Sequence, residues 1–78
     1  MITKERIAEI LFEYDPANLD CKANDMFDEY APEAEEILRK LKVGKLVIDA
    51  VNETFDNAFS GTAEVPFEVI AEIEADMI

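Results

Sequence analysis

The sequence contains no histidine and no tryptophan, a single cysteine and only two glycines. The missing histidine excludes Ser-His-Asp and Cys-His nucleophile pairs, histidine-ligated zinc or iron, and a histidine switch near neutral pH. Cys21 has no second cysteine to pair with, which fits a reducing compartment. It stands beside Asp20, whose charge disfavours the thiolate, so it reads as a small apolar residue and not as a nucleophile. Gly44 and Gly61 alone cannot build a glycine-rich phosphate loop. Apolar runs are short as well: Leu46-Val47-Ile48 is one of the longest, against the ~18 residues of a membrane span. Lys4, Glu5 and Arg6 are followed by a helical pattern and not by an apolar signal core. These absences predict a soluble, cytoplasmic protein that is not an enzyme and carries no cofactor or metal.

Against them stands an excess of one charge. The 78 residues hold 19 Asp/Glu and 7 Lys/Arg, a formal net charge of −12. Half of the residues are apolar, so the chain is not of the weakly hydrophobic, highly charged kind that stays disordered. Its length allows one domain, residues 1–78, which buries only about 60–65% of its unfolded surface. A strongly negative surface repels nucleic acid and anionic lipid, so the expected partner is a basic protein.

Periodicity predicts helices throughout. Ile7, Ile10, Leu11 and Tyr14 form one helical stripe, opened by Thr3 and stopped by Asp15-Pro16. Residues 17–23 read as a loop, followed by a short turn that Asn24 can cap. Pro32 suits the start of a second helix, with Glu33, Glu35 and Glu36 near its positive end and Arg39, Lys40 and Lys42 near its negative end. Ala34, Ile37, Leu38 and Leu41 supply its buried face, and Gly44 stops it. From Lys45 to Phe59 the stripe is Ile48, Val51, Phe55 and Phe59, flanked by Val47, Ala50 and Ala58, and Ser60-Gly61 ends it. Pro66 then opens a last helix with Phe67, Ile70, Ile73 and Met77 on one face. The expected fold is all-α: a compact bundle of about four short helices with an irregular connection around residues 15–31. Phe27, Phe55, Phe59 and Phe67 are expected in the core. Phe12 and Tyr30 fall off the stripes, either buried against that connection or serving as interface anchors.

Sites of specific chemistry fail on spacing. Counted from Asp15, a calcium loop would need oxygen ligands where Ala17 and Leu19 stand, a glycine where Asp20 stands and a glutamate where Met26 stands. Glu33-x-x-Glu36 lacks the histidine of a dinuclear carboxylate bundle. What survives is the placement of charge. The acids of the second helix are answered by its dipole and by the cations from Arg39 to Lys45. The eight acids after Leu46 share their stretch with no cation at all. Asp49, Glu53 and Asp56 are spaced by four and three; Glu64, Glu68, Glu72 and Asp76 are spaced by four. Like charges at these offsets cost a helix about 0.2–0.5 kcal/mol per pair. An unmixed stripe at such a cost predicts that something positive meets it. Asp49, Glu53, Asp56, Glu64, Glu68, Glu72 and Asp76 are therefore the expected partner-binding residues of an inhibitor or immunity-type factor. Two such stripes side by side would also approach the charge density of one DNA strand, since each repeats every ~6 Å against 3.4 Å. The competing expectation is an uncharacterised housekeeping helical domain whose acidity serves solubility, homodimeric through leftover apolar surface.

Phe12-Glu13-Tyr14-Asp15-Pro16, then Asp28-Glu29-Tyr30, then Ile37-Leu38 with Leu41 and Gly44, resembles the YugE-like family of small acidic bacterial proteins of unknown function. The resemblance covers roughly residues 7–59. It implies an all-helical bacterial domain in which an aromatic-Asp-Pro turn closes the first helix and an Asp-Glu-Tyr segment leads into the second. It implies no catalytic residue.

Overall fold

A computed structural model describes residues 2–19, 29–61 and 63–77. They form four helices and, among the described residues, no strand: α1 (Lys4–Tyr14), α2 (Ala31–Lys42), α3 (Val47–Phe59) and α4 (Phe67–Asp76). The predicted all-α bundle is therefore what the chain builds. Contacts run α1 to α2, α2 to α3, α3 to α4 and α4 back to α1, and the α-carbons of neither diagonal pair come within 8 Å. The helices thus close a ring around one core.

Each helix boundary has a local cause. Thr3 Oγ1 accepts the Arg6 N–H at 3.1 Å and so satisfies one orphan donor of α1. Asp15 ends α1 in the left-handed region (φ 46°), its N–H donating to the Leu11 carbonyl at 2.8 Å before Pro16 blocks continuation. At the end of α2 the Gly44 N–H bonds Leu41 O at 3.1 Å and the Lys45 N–H bonds Lys40 O at 3.2 Å. That pair of bonds folds the chain back over the last turn, and it needs the positive φ of Gly44, 96°. It also takes Lys45 out of the predicted third helix, which starts at Val47. Ser60 (φ 54°) and Gly61 (φ 77°) end α3 as expected.

The core is Ile7, Ile10 and Leu11 from α1, Ala34, Ile37 and Leu41 from α2, Val47, Ala50, Val51 and Phe55 from α3, and Val69, Ile70 and Ile73 from α4. Two stripes differ from the predicted ones. On α3 the buried residues are Val47, Ala50, Val51, Thr54 and Phe55; Ile48 and Ala58 are exposed, and Phe59 is half-buried. Small Ala50 is fully buried, and Ile48, ~100° of helical rotation beyond Val47, is left on the flank. On α4, Val69 joins Ile70 and Ile73, while Phe67 is 71% exposed. Helical rotation sets Phe67 more than ~100° from the centre of that face. Met77 packs partly against the core, and Leu38 does the same.

Tyr30 is fully buried, so it is no interface anchor. Its hydroxyl donates to Asp15 Oδ1 at 2.5 Å and accepts the Ala17 N–H at 3.0 Å. Asp15 Oδ1 also accepts the Leu19 N–H at 2.9 Å. The ring lies 5.9 Å from Phe55, which stacks on Phe59 at 5.4 Å. Phe12 packs partly against the same core. Phe27, Cys21 and the turn expected after Asn24 lie outside the described residues.

Candidate functional site

Neighbouring helices run antiparallel, which gives the bundle two distinct ends. Arg6 near the start of α1 reaches Asp76 at the end of α4, and Tyr14 at the end of α1 faces Glu72. Glu33 and Glu36 of α2 share a shallow cleft of about 220 Å³ with Thr54, Asn57 and Ala58 of α3. One end therefore holds the α2–α3 turn, the start of α1 and the end of α4. The other holds the end of α1, the start of α2 and the connection from α3 to α4.

The charges sort between those ends. All six described cations, Lys4, Arg6, Arg39, Lys40, Lys42 and Lys45, lie in the half that contains the α2–α3 turn; Lys22 lies outside the described residues. Four of them, Arg6, Arg39, Lys40 and Lys45, are engaged there. Glu53 accepts from Lys45 Nζ at 3.0 Å and has Lys40 Nζ at 3.8 Å. The fold-back at Gly44 sets these two lysines together, at the positions where such a turn usually makes an apolar contact. The Lys45 hydrogen bond is the main reason that the Glu53 carboxyl titrates below its ordinary value. Arg6 bonds Asp76 and Glu9 and lies 3.6 Å from Glu72, and the Asp76 bond foremost raises the guanidinium pKa. Arg39 pairs with Glu36 one turn before it.

Three of the seven predicted partner-binding acids thus have counterions, contrary to the expectation drawn from their own stretch of chain. Those of Glu53 come from α2 and the turn after it, and that of Glu72 and Asp76 comes from α1. The seams α2–α3 and α4–α1 are opposite sides of the ring, so Glu53 on one side and Glu72 and Asp76 on the other are turned toward different neighbours. Asp49, Asp56, Glu64 and Glu68 are exposed. No ion pair involves them among the described residues. Asp49 stands at the turn end. Asp56, Glu64 and Glu68 stand toward the other end, where no described residue is cationic.

Two further acids of that end, Glu29 and Glu33, fell outside the sequence reading because the dipole of α2 accounted for Glu33. Burial foremost, then the charge of Glu29, raises the Glu33 carboxyl above its ordinary value, against a backbone hydrogen bond that lowers it. Tyr14 is raised as well, first by its hydrogen bond to Glu72, then by burial and by the charges of Glu72 and Glu68. The signal that could have revealed this acidic end is positional. Every cation from Arg39 to Lys45 sits at one turn, and an up-down bundle sends the acids near Asp56, Glu64 and Glu68 to the opposite end.

The end has an apolar projection too: Phe67, between Glu64 and Glu68 in sequence and largely exposed. The neighbouring cleft offers little chemistry, since the Thr54 hydroxyl is already used on the Ala50 carbonyl at 2.7 Å. Among the described residues, no three metal-ligating side chains converge, and no helix is long and apolar enough to cross a membrane. The chain matches no protein-family model, no curated protein and no solved structure, so the acidic end is defined by its own geometry.

Proposed function

We propose that the protein is a non-catalytic binding module that lays its acidic end, with Asp56, Glu64 and Glu68, over a basic site on a partner protein. It would act there as an inhibitor or immunity-type factor in a bacterial cytoplasm, the setting that the YugE-like resemblance and the lone Cys21 suggest. The observation that carries this reading is the segregation of charge. In the half of the α2–α3 turn, Glu36, Glu53 and Asp76 are matched by Arg6, Arg39, Lys40 and Lys45, although Asp49 is not, whereas the acids at the other end have no described cation near them. Acidity serving solubility alone requires no such sorting. Exposed pairs add only about 0.2–1 kcal/mol each. The gain is therefore mostly in association rate, which a focused negative field raises and salt suppresses.

Affinity capture from the host, followed by titration of the captured partner at rising salt, tests this. Affinity should fall as salt rises, and Asp56→Lys, Glu64→Lys and Glu68→Lys together should weaken binding at least about tenfold. Asp49→Lys, at the other end, should change it little. A salt-independent affinity, or a triple reversal that binds as tightly as the parent, would sink the idea.

A further inference from the structure

The large apolar side chains left exposed among the described residues sit at the two ends of the bundle: Val43 (74%), Leu46 (67%) and Ile48 (44%) at the α2–α3 turn, and Phe67 (71%) at the acidic end. The first three share their segment with Lys42 and Lys45, both exposed; Lys45 also bonds Glu53, Lys42 has no ion pair among the described residues, and exposed Asp49 follows Ile48. Phe67 lies between Glu64 and Glu68, both exposed and without an ion pair among the described residues. Apolar side chains in this number and position are unneeded by the core, which is closed without them.

We propose that the chain associates head to tail with a second copy of itself, Phe67 of one molecule docking on Val43 and Leu46 of the next, with Glu64 and Glu68 against Lys42 and Lys45. Charge selects this pairing over the symmetric ones. Turn against turn would oppose lysine to lysine, and acidic end against acidic end would oppose carboxylate to carboxylate. Only unlike ends match. Because the two patches face opposite ways, the contact is heterologous and continues into short open arrays instead of closing as a two-fold dimer. One phenylalanine seated on a few aliphatic side chains covers a few hundred Å² per partner, less than the ~800 Å² of a stable complex, so dissociation constants are on the order of 0.1–1 mM. Each copy also carries −12. At low salt that net charge repels over about 30 Å, whereas at ~0.15 M the range shrinks to about 8 Å and the local match decides. Association is therefore stronger at physiological salt than in very dilute buffer. This inference stands independently of the proposed protein partner, with which it would compete for the acidic end.

Sedimentation of the whole chain up to about 1 mM, near the expected dissociation constants, tests it with Leu46→Glu and Phe67→Ser. Both positions are exposed, and far-UV circular dichroism checks that each variant is folded. The parent chain should exceed dimer mass at the highest concentration, and each variant alone should associate at least about tenfold more weakly. Mixed in equal amounts, the variants should form a one-to-one pair and nothing larger, because each retains the end that the other has lost. Any of four results overturns the proposal: a parent chain that stays monomeric, a dimer that does not grow, a single variant that associates like the parent, or a mixture that fails to pair. Binding of phosphatidylserine vesicles through Leu46 by a chain that remains monomeric would assign the turn to a lipid surface instead.

Discussion

Removing one oxygen atom from Tyr30 should cost this small domain a large part of its stability. In Tyr30→Phe the ring still fills its place against Phe55, so packing is kept and only the hydroxyl is lost. That hydroxyl donates to the Asp15 carboxylate at 2.5 Å and accepts the Ala17 N–H at 3.0 Å. A hydrogen bond to a charged group contributes about 1.5–3 kcal/mol, and a donor left without its acceptor adds to the loss. Ala17 and Asp15 are only half-buried, so water recovers part of it. The net expectation is about 2 kcal/mol, or a fall in Tm on the order of 10 °C at this chain length. Urea unfolding followed by circular dichroism measures it, with an unchanged m-value showing that only stability moved. Asp15→Asn keeps an acceptor for Leu19 N–H and should cost less, and the double variant should cost less than the sum of the two, since both act on one bond. A loss below about 0.5 kcal/mol for Tyr30→Phe, the level of an ordinary surface change, would refute this account of how the end of α1 is joined to the start of α2.

Further expectations concern single charges and one turn. Gly44→Ala meets no atom at its new Cβ, so its cost is the strain of a positive φ alone, about 1–2 kcal/mol in urea unfolding. Arg6→Gln should lower Tm in dilute buffer, because it leaves Asp76 and Glu72 near each other without a counterion, and the deficit should shrink as salt is added. Glu53 and Glu33 should respond to pH with opposite signs. Glu53 has a depressed folded pKa, so its contribution is present above the ordinary 4.5 and is lost as pH falls through the folded value. Glu33 has a raised folded pKa, so its ionised form carries a cost above that value, relieved as pH falls toward 4.5. At pH 7, Glu53→Gln should thus lower Tm and Glu33→Gln should raise it, and both differences should fade in acid.

Helix number, order and stops were legible because they rest on neighbours in the chain: Thr3, Asp15-Pro16, Gly44 and Ser60-Gly61 act within one turn. The inward faces of α1 and α2 were legible for the same reason, since Ile7, Ile10 and Leu11 leave one choice of face. On α3 and α4 almost every turn offers several apolar residues. Which of them faces inward depends on where two neighbouring helices lie, and that choice set Ile48 and Phe67 outside. The candidate site was legible in sign but not in arrangement. The acids after Leu46 have no cation in their own stretch, yet Glu53 is met by Lys40 and Lys45, and Asp76 by Arg6, seventy positions away. Counterions supplied across a seam leave no trace at helical spacing.

Since the α-carbons of neither diagonal pair come within 8 Å, each helix has its close backbone neighbours at two seams only. α4 is the shortest, starts without a side-chain cap and has no basic residue in its last turn to answer its dipole. It is the element with least to lose by swinging out, and native-state hydrogen exchange should find its amides the first of the four helices to open. When it opens, Val69, Ile70 and Ile73 are uncovered, Arg6 releases Asp76, and Glu68 and Phe67 leave the acidic end together. Whatever grips that end therefore holds a latch as well as a surface: it steadies the helix on which the ring depends to stay shut.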